Sequence, residues 1–231
     1  MQSTRAIILF VRDERLEGAA KPLPASYRSA GYWALNRRIA ERLGLLCRDG
    51  IDLILVTERE RGALPCSGIL RQRGSSFGER LGNAIADTFA LGYRDVVVVG
   101  NDCPTIAPSD IAGAFARLGN GATIVAAPTS DGGAYLIGAR RECFDAESFA
   151  ALPWQTASLF HAITALPGAA LLPILRDDFD DWNGTEALRA LALLLPLHGE
   201  PIVRQLPPLP VRSSARMKAL TRIFLPAPPV A

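Results

Sequence analysis

Val96-Val97-Val98-Val99-Gly100-Asn101-Asp102-Cys103-Pro104 reads as a strand that ends abruptly in a polar turn. Four consecutive β-branched residues leave no polar face, so such a strand is covered on both sides, as in the sheets of α/β proteins. The polar break sets Asp102 just past the strand's carboxyl end. Open α/β sheets bind their ligands at that edge.

Outward from this strand, apolar runs alternate with amphipathic or Ala/Leu-rich stretches, the pattern of an α/β fold. Ala6 to Val11, Ile51 to Thr57 and Thr123 to Ala127 read as further strands. Tyr32 to Cys47, Ser76 to Leu91 and Ser109 to Leu118 read as helices, the last with Ser109 as N-cap after Pro108. Ala134 to Gly138 reads as a strand of undetermined direction. Past Ala139 the pattern turns more helical, with Ser158 to Leu166 and Glu186 to Leu195 as the better candidates. From Pro201 onward, prolines at 207, 208, 210, 226, 228 and 229 flank the basic stretch Arg212 to Arg222. That shift sets a Pro-rich, basic arm (201–231) apart from a domain of residues 1–200, the arm being expected at the surface or partly disordered.

The 231 residues can bury a substantial core, and a net charge of +2 gives no electrostatic footprint for nucleic acid. Cys47, Cys66, Cys103 and Cys143 are scattered, and the two histidines, His161 and His198, do not join them in a soft-metal pattern. Reduced thiols are expected, and packing rather than nucleophilic chemistry for Cys103. The apolar run Ala6 to Val11 is too short to span a bilayer and is followed at once by Arg12-Asp13-Glu14 without a cleavage pattern, so a cytoplasmic location is expected.

A second segment, Ser130-Asp131-Gly132-Gly133-Ala134-Tyr135-Leu136-Ile137-Gly138, carries an Asp-Gly-Gly turn. Two glycines permit positive φ and a close approach of backbone to ligand, although an ordinary hairpin turn uses Asp-Gly as well. Trp154, Trp182 and Tyr135 are candidates for stacking on a base or sugar, although large aromatics more often belong to the core.

Together these segments resemble a family of bacterial glycosyltransferase-A-like proteins, "transferase 1, radical-SAM/selenodomain-associated", related to 2-phospholactate guanylyltransferase and the molybdenum-cofactor guanylyltransferases. The residues that carry the resemblance are Gly100 to Ile106, Ser130 to Gly138, Trp154, Gln72-Arg73-Gly74 and Phe77-Gly78-Glu79-Arg80-Leu81. The resemblance implies an α/β nucleotide-diphospho-sugar transferase fold, with a mixed, mainly parallel central sheet and helices on both faces. It implies that Asp102 holds Mg²⁺ or Mn²⁺ and takes part in catalysis, where the residue's own reading is a turn cap before Pro104. Asp131 would bind hydroxyls or orient a nucleophile, beside Gly132, Gly133, Tyr135 and Trp154 around the substrate. The late segment Asp181-Trp182-Asn183-Gly184-Thr185-Glu186-Ala187-Leu188 resembles the family's second metal-ligand segment, making Asp181 or Asn183 the further ligand; otherwise Asn183 or Thr185 caps a helix.

In place of the family's Gly-x-x-Lys-Thr-Arg-Leu phosphate loop the chain has Gly18-Ala19-Ala20-Lys21-Pro22-Leu23-Pro24. Lys21 remains as a phosphate contact, and Arg28 or Arg80 would stand in for the missing arginine. The implied activity is a metal-dependent transfer of a nucleotidyl or glycosyl group from a nucleotide or nucleotide-sugar donor to a small acceptor. The alternative is a non-catalytic member that binds a ligand or partner. A dinucleotide dehydrogenase is disfavoured, because no Gly-x-Gly-x-x-Gly follows the first strand. Oligomeric state stays open.

Overall fold

A computed structural model of the chain describes residues 3–24, 31–46, 50–58, 64–177, 179 and 185–194. Its elements, in order, are β1 (Arg5–Phe10), α1 (Glu14–Ala20), α2 (Gly31–Gly44), β2 (Ile51–Thr57), β3 (Gly68–Arg71), α3 (Phe77–Ala90), β4 (Asp95–Val99), α4 (Pro108–Gly119), β5 (Ile124–Pro128), β6 (Ala134–Arg140), a 3-10 turn (Arg141–Cys143), α5 (Ala146–Ala150), α6 (Leu159–Thr164), β7 (Ala169–Leu171) and α7 (Thr185–Leu194). Their strands form one sheet in the order β3-β2-β1-β4-β6-β5-β7.

β4 is buried along its whole length, and the two-residue period of a strand divides its valines between two helical layers. Val97 and Val99 join Ile7, Leu9, Leu53 and Leu55 against α2, α4 and α7. Val96 and Val98 join Ile8, Ile54 and Ile137 against α3, α5 and α6. This is the mixed, mainly parallel sheet with helices on both faces that the sequence led us to expect.

β1 pairs in parallel with both β2 and β4, with Ile7 opposite Leu53 and Val97. β6, whose direction its sequence left open, is antiparallel to β4 and to β5, with Leu136 opposite both Val99 and Ala127. β4 therefore ends where β6 begins.

The helix ends show local corrections. Ser109 lies inside α4, and Ala107 occupies the N-cap position; lacking a side-chain acceptor, it instead donates its N–H to Asp110 Oδ2 at 3.0 Å. α2 ends at Gly44 rather than Cys47, and α6 at Thr164 rather than Leu166. α3 begins as expected: Ser76 Oγ accepts from the Glu79 N–H at 3.1 Å while Glu79 Oε2 accepts from the Ser76 N–H at 3.3 Å. Cys66, Cys103 and Cys143 are free thiols. No helix among the described residues is long and apolar enough to cross a membrane. The expected arm, 201–231, lies outside the described residues.

Candidate functional site

The carboxyl end of β4 and the amino end of β6 share one edge of the sheet, so the Asp102 turn and the Asp131 turn come together there despite their separation in sequence. Between them opens a cavity of about 350 Å³, lined among others by Lys21, Asp102, Asp131, Gly133, Tyr135 and Trp154. Gly132 and Arg80 are not part of this lining. Arg28, Asp181, Trp182, Asn183 and His198 lie outside the described residues, and His161 sits exposed on α6, away from the lining.

The Asp102 turn is held from below. Asn101 Nδ2 donates to Asn36 Oδ1 of α2 at 2.9 Å, both residues being buried, and Arg42 Nη1 donates to the Pro104 carbonyl at 2.8 Å. The Phe179 N–H donates to the Asp102 carbonyl at 2.9 Å. The Asp102 carboxylate is part of the cavity lining, and its Oδ1 lies 3.1 Å from Lys21 Nζ.

Lys21 reaches that place from the end of α1. Asp13 caps α1 by accepting the Arg15 N–H at 3.1 Å, and the Lys21 N–H closes the helix on the Glu17 carbonyl at 2.8 Å. Tyr32 then donates to the Lys21 carbonyl at 2.7 Å. Glu17 is buried on the same turn, and burial, followed by the negative charge of Asp102, raises its carboxyl above the usual range, with Lys21 opposing.

Asp131 Oδ1 accepts from the Thr129 hydroxyl and, at 3.0 Å, from the Gly133 N–H; these bonds hold its carboxyl below the usual range. Gly132 has a φ of 89°, and a Cβ there would stand 2.2 Å from the Ala157 carbonyl oxygen. Its own carbonyl accepts the Phe160 N–H at 3.0 Å, tying the turn to α6. Gly132 is thus required by a close backbone approach within the protein, and both readings of the Asp-Gly-Gly turn meet here: a tight turn, with Asp131 and Gly133 on the cavity.

Tyr135 lines the cavity floor but is almost wholly buried. Burial, and then Asp110, push its hydroxyl up to about 12, against the pull of Arg176. Arg176 lies 5.9 Å over the Tyr135 ring and holds Asp110 with two bonds, Nε to Oδ2 at 2.6 Å and Nη2 to Oδ1 at 3.0 Å. Sequence reading missed this pair, because Asp110 and Arg176 stand far apart in the chain and neither belongs to a motif.

The segment Phe77 to Leu81 resolves into distinct parts. Phe77 and Leu81 line the cavity, Glu79 caps the helix, and Arg80 Nη1 reaches the Ser75 carbonyl at 3.4 Å, outside the lining. Gly78 is the residue against which Trp154 packs: a Cβ there would lie 2.4 Å from the indole Cδ1. Trp154 also donates Nε1–H to the Phe149 carbonyl at 2.9 Å, so it is at once a packed aromatic and a cavity wall.

Among the described residues no group of three His, Cys, Asp or Glu side chains could by itself hold a metal ion. The Asp102 carboxylate is nevertheless a hard oxygen donor with a cation already against it, the Lys21 ammonium, and hard divalent ions are satisfied by one or two carboxylates supplemented by substrate oxygens and water.

Comparison with known proteins sets this geometry in a wider frame. Residues 47–156 match the family model described as "Uncharacterized protein conserved in bacteria (DUF2064)". No curated protein sequence matches the chain. Among solved structures, the chain is similar to a candidate nucleotide-diphospho-sugar transferase from Desulfovibrio desulfuricans G20, at 21% identity and a TM-score of 0.62, over 96% of this chain and 95% of that one. It is similar to a CMP:2-keto-3-deoxy-manno-octonic acid synthetase complexed with CTP, at 14% identity and a TM-score of 0.52, over 84% and 99% of the two chains. It is also similar to the glucosyl-3-phosphoglycerate synthase of Mycobacterium tuberculosis in complex with Mn²⁺, UDP and glucosyl-3-phosphoglycerate, at 14% identity and a TM-score of 0.50, over 86% and 81%. The fold of this chain is that of the nucleotide-diphospho-sugar transferases.

Proposed function

We propose that the protein is a metal-dependent transferase, moving a nucleotidyl or glycosyl group from an activated nucleotide donor to a small acceptor. The observation that carries this reading is the meeting of Lys21, Asp102 and the Asp131 turn around one cavity at the carboxyl edge of the sheet. Relatives by fold that hold CTP, or UDP with Mn²⁺, support it. So does the resemblance to the radical-SAM/selenodomain-associated transferases.

Asp102 would hold Mg²⁺ or Mn²⁺ together with Asp181 or Asn183; Phe179, two residues before Asp181 in the chain, already donates to the Asp102 carbonyl. Bound there, the cation neutralises charge on the donor's phosphates. Lys21, on a flexible stem, exchanges the Asp102 carboxylate for a donor phosphate. Asp131 stays ionised through its turn and offers a carboxylate to acceptor hydroxyls. Positioning and electrostatics then carry the reaction, as in phosphoryl transfers generally.

Calorimetric titration of the full chain with nucleoside triphosphates and nucleotide-sugars, with and without Mg²⁺ or Mn²⁺, tests this. One donor should bind in a cation-dependent way, and Asp102→Asn should abolish that binding while far-UV circular dichroism stays unchanged. A second reading, a protein that binds its ligand without turnover, has its own observations: Pro22 and Pro24 take two backbone donors from the loop after α1, and Lys21 is paired with Asp102. A panel without any binding would favour it.

A further inference from the structure

The cavity lining is chemically mixed, and its aromatic side chains play no part in the chemistry above. Phe10, Phe77 and Trp154 form one run of neighbouring rings on it, with Leu81 and Leu159 also in the lining. Phe10 and Phe77 meet edge to face at 5.9 Å and 79°, and Phe77 and Trp154 are tilted at 5.5 Å and 52°. All three rings are half-buried, so each keeps a surface for something other than protein.

This wall is built from behind. The Trp154 ring lies 4.9 Å from that of Phe149, its indole N–H is taken by the Phe149 carbonyl at 2.9 Å, and α3 fits against it only because residue 78 is Gly. The next residue, Gln155, holds a φ of 60°, a strained conformation for a side-chain-bearing residue, where the chain turns from the wall into the cavity rim. The aromatic surface is therefore fixed before any ligand arrives, which lowers the entropic cost of binding.

Its chemistry is equally specific. Phe10, Phe77, Leu81 and Leu159 offer hydrocarbon and the indole N–H of Trp154 is already given to Phe149, so the wall itself favours an apolar ring, while Gln155 and Thr156 beside it on the lining are the polar groups that the nucleotide controls below address. We propose that the acceptor is an amphipathic small molecule: a flat, apolar ring seated on the Phe10, Phe77 and Trp154 wall, with its polar, reacting end toward Lys21, Asp102 and Asp131. The inference rests on reading the cavity as a transfer site; the ring preference itself is a property of the wall.

Phenyl phosphate is the probe, with inorganic phosphate and glycerol 3-phosphate as polar controls and cytidine and uridine 5′-monophosphates as nucleobase controls, titrated into the full chain without added metal. Phenyl phosphate should bind about tenfold more tightly than glycerol 3-phosphate. Phe77→Leu and Trp154→Ala should erase that advantage and leave the affinity for inorganic phosphate unchanged. Because Trp154→Ala removes a packed ring, a measurement on the unaltered protein accompanies it: intermolecular nuclear Overhauser effects from the phenyl protons to the Leu81 and Leu159 methyls, which the proposal requires. Equal affinities, the absence of those effects, or nucleoside monophosphates that outrank phenyl phosphate would each overturn it. No donor or cation enters these titrations, so a blank donor panel beside a clear ring preference would remove the transferase reading, and with it the ligand's role as acceptor, while the ring-binding wall itself would stand.

Discussion

Replacing Arg176 by Ala removes both charge-assisted bonds, at 2.6 and 3.0 Å, from Asp110, a carboxylate with 0% exposure. The Ala107 N–H at 3.0 Å is the capping contact that remains to Asp110 Oδ2. Breaking a buried ion pair from one side costs about 3–5 kcal/mol, since the remaining charge has lost its partner and is shielded from water. The Arg176 side chain is itself 21% exposed, and water entering the space it leaves would place the loss near the lower figure, about 3 kcal/mol. For a chain of this size that corresponds to a fall in Tm of about 6–12 °C. Urea unfolding followed by far-UV circular dichroism, with a thermal scan beside it, reads both quantities. The double variant Asp110→Leu with Arg176→Met buries no charge and should recover about half the loss or more, less the missing cap on Ala107. An Arg176→Ala protein within about 1 kcal/mol of the original, or a double variant no better than the single one, would refute the reasoning.

Two further outcomes follow from the same site. Burial, and then Asp102, raise the Glu17 carboxyl, so the folded protein binds that proton more tightly than the unfolded chain; the stabilisation is complete below the unfolded pKa of 4.5 and is lost as pH rises through the higher folded value. Glu17→Gln should therefore leave the unfolding free energy unchanged near pH 4 and raise it near neutral pH, and an identical effect at both values in denaturant titrations would count against this account. Gly132→Ala combines a φ of 89° with a Cβ 2.2 Å from the Ala157 carbonyl oxygen, and should cost about 2 kcal/mol or more. Hydrogen exchange at the Phe160 N–H, whose acceptor is the Gly132 carbonyl, should accelerate with it; unchanged exchange and stability would sink the prediction.

Much of this architecture was legible in the chain because local rules wrote it. The all-valine run of β4 demanded cover on both faces, and the stretch Ser76 to Leu91 read as the helix that became α3. Other elements were not: α1 is a short helix of seven residues and β3 a strand of four, too brief for periodicity to register. The N-cap of α4 was misplaced because Ser109 is a good cap in isolation, whereas the carboxylate of Asp110 takes over the Ala107 N–H in the folded protein.

The site divides in the same way. Asp102 and the Asp131 turn stand out by themselves, since a carboxylate after a buried strand and an Asp-Gly-Gly turn are patterns of neighbouring residues. What lies opposite what is a different matter. Only the antiparallel direction of β6 brings those two turns to one edge, only the path of α1 carries Lys21 to 3.1 Å from Asp102, and only the approach of α3 to Trp154 makes a wall of Phe10, Phe77 and the indole. Residue type and spacing along the chain determined which groups have chemistry to offer. Pairings across long sequence separations depend on sheet order and helix packing, which bury apolar surface collectively, and that collective burial decided which groups meet.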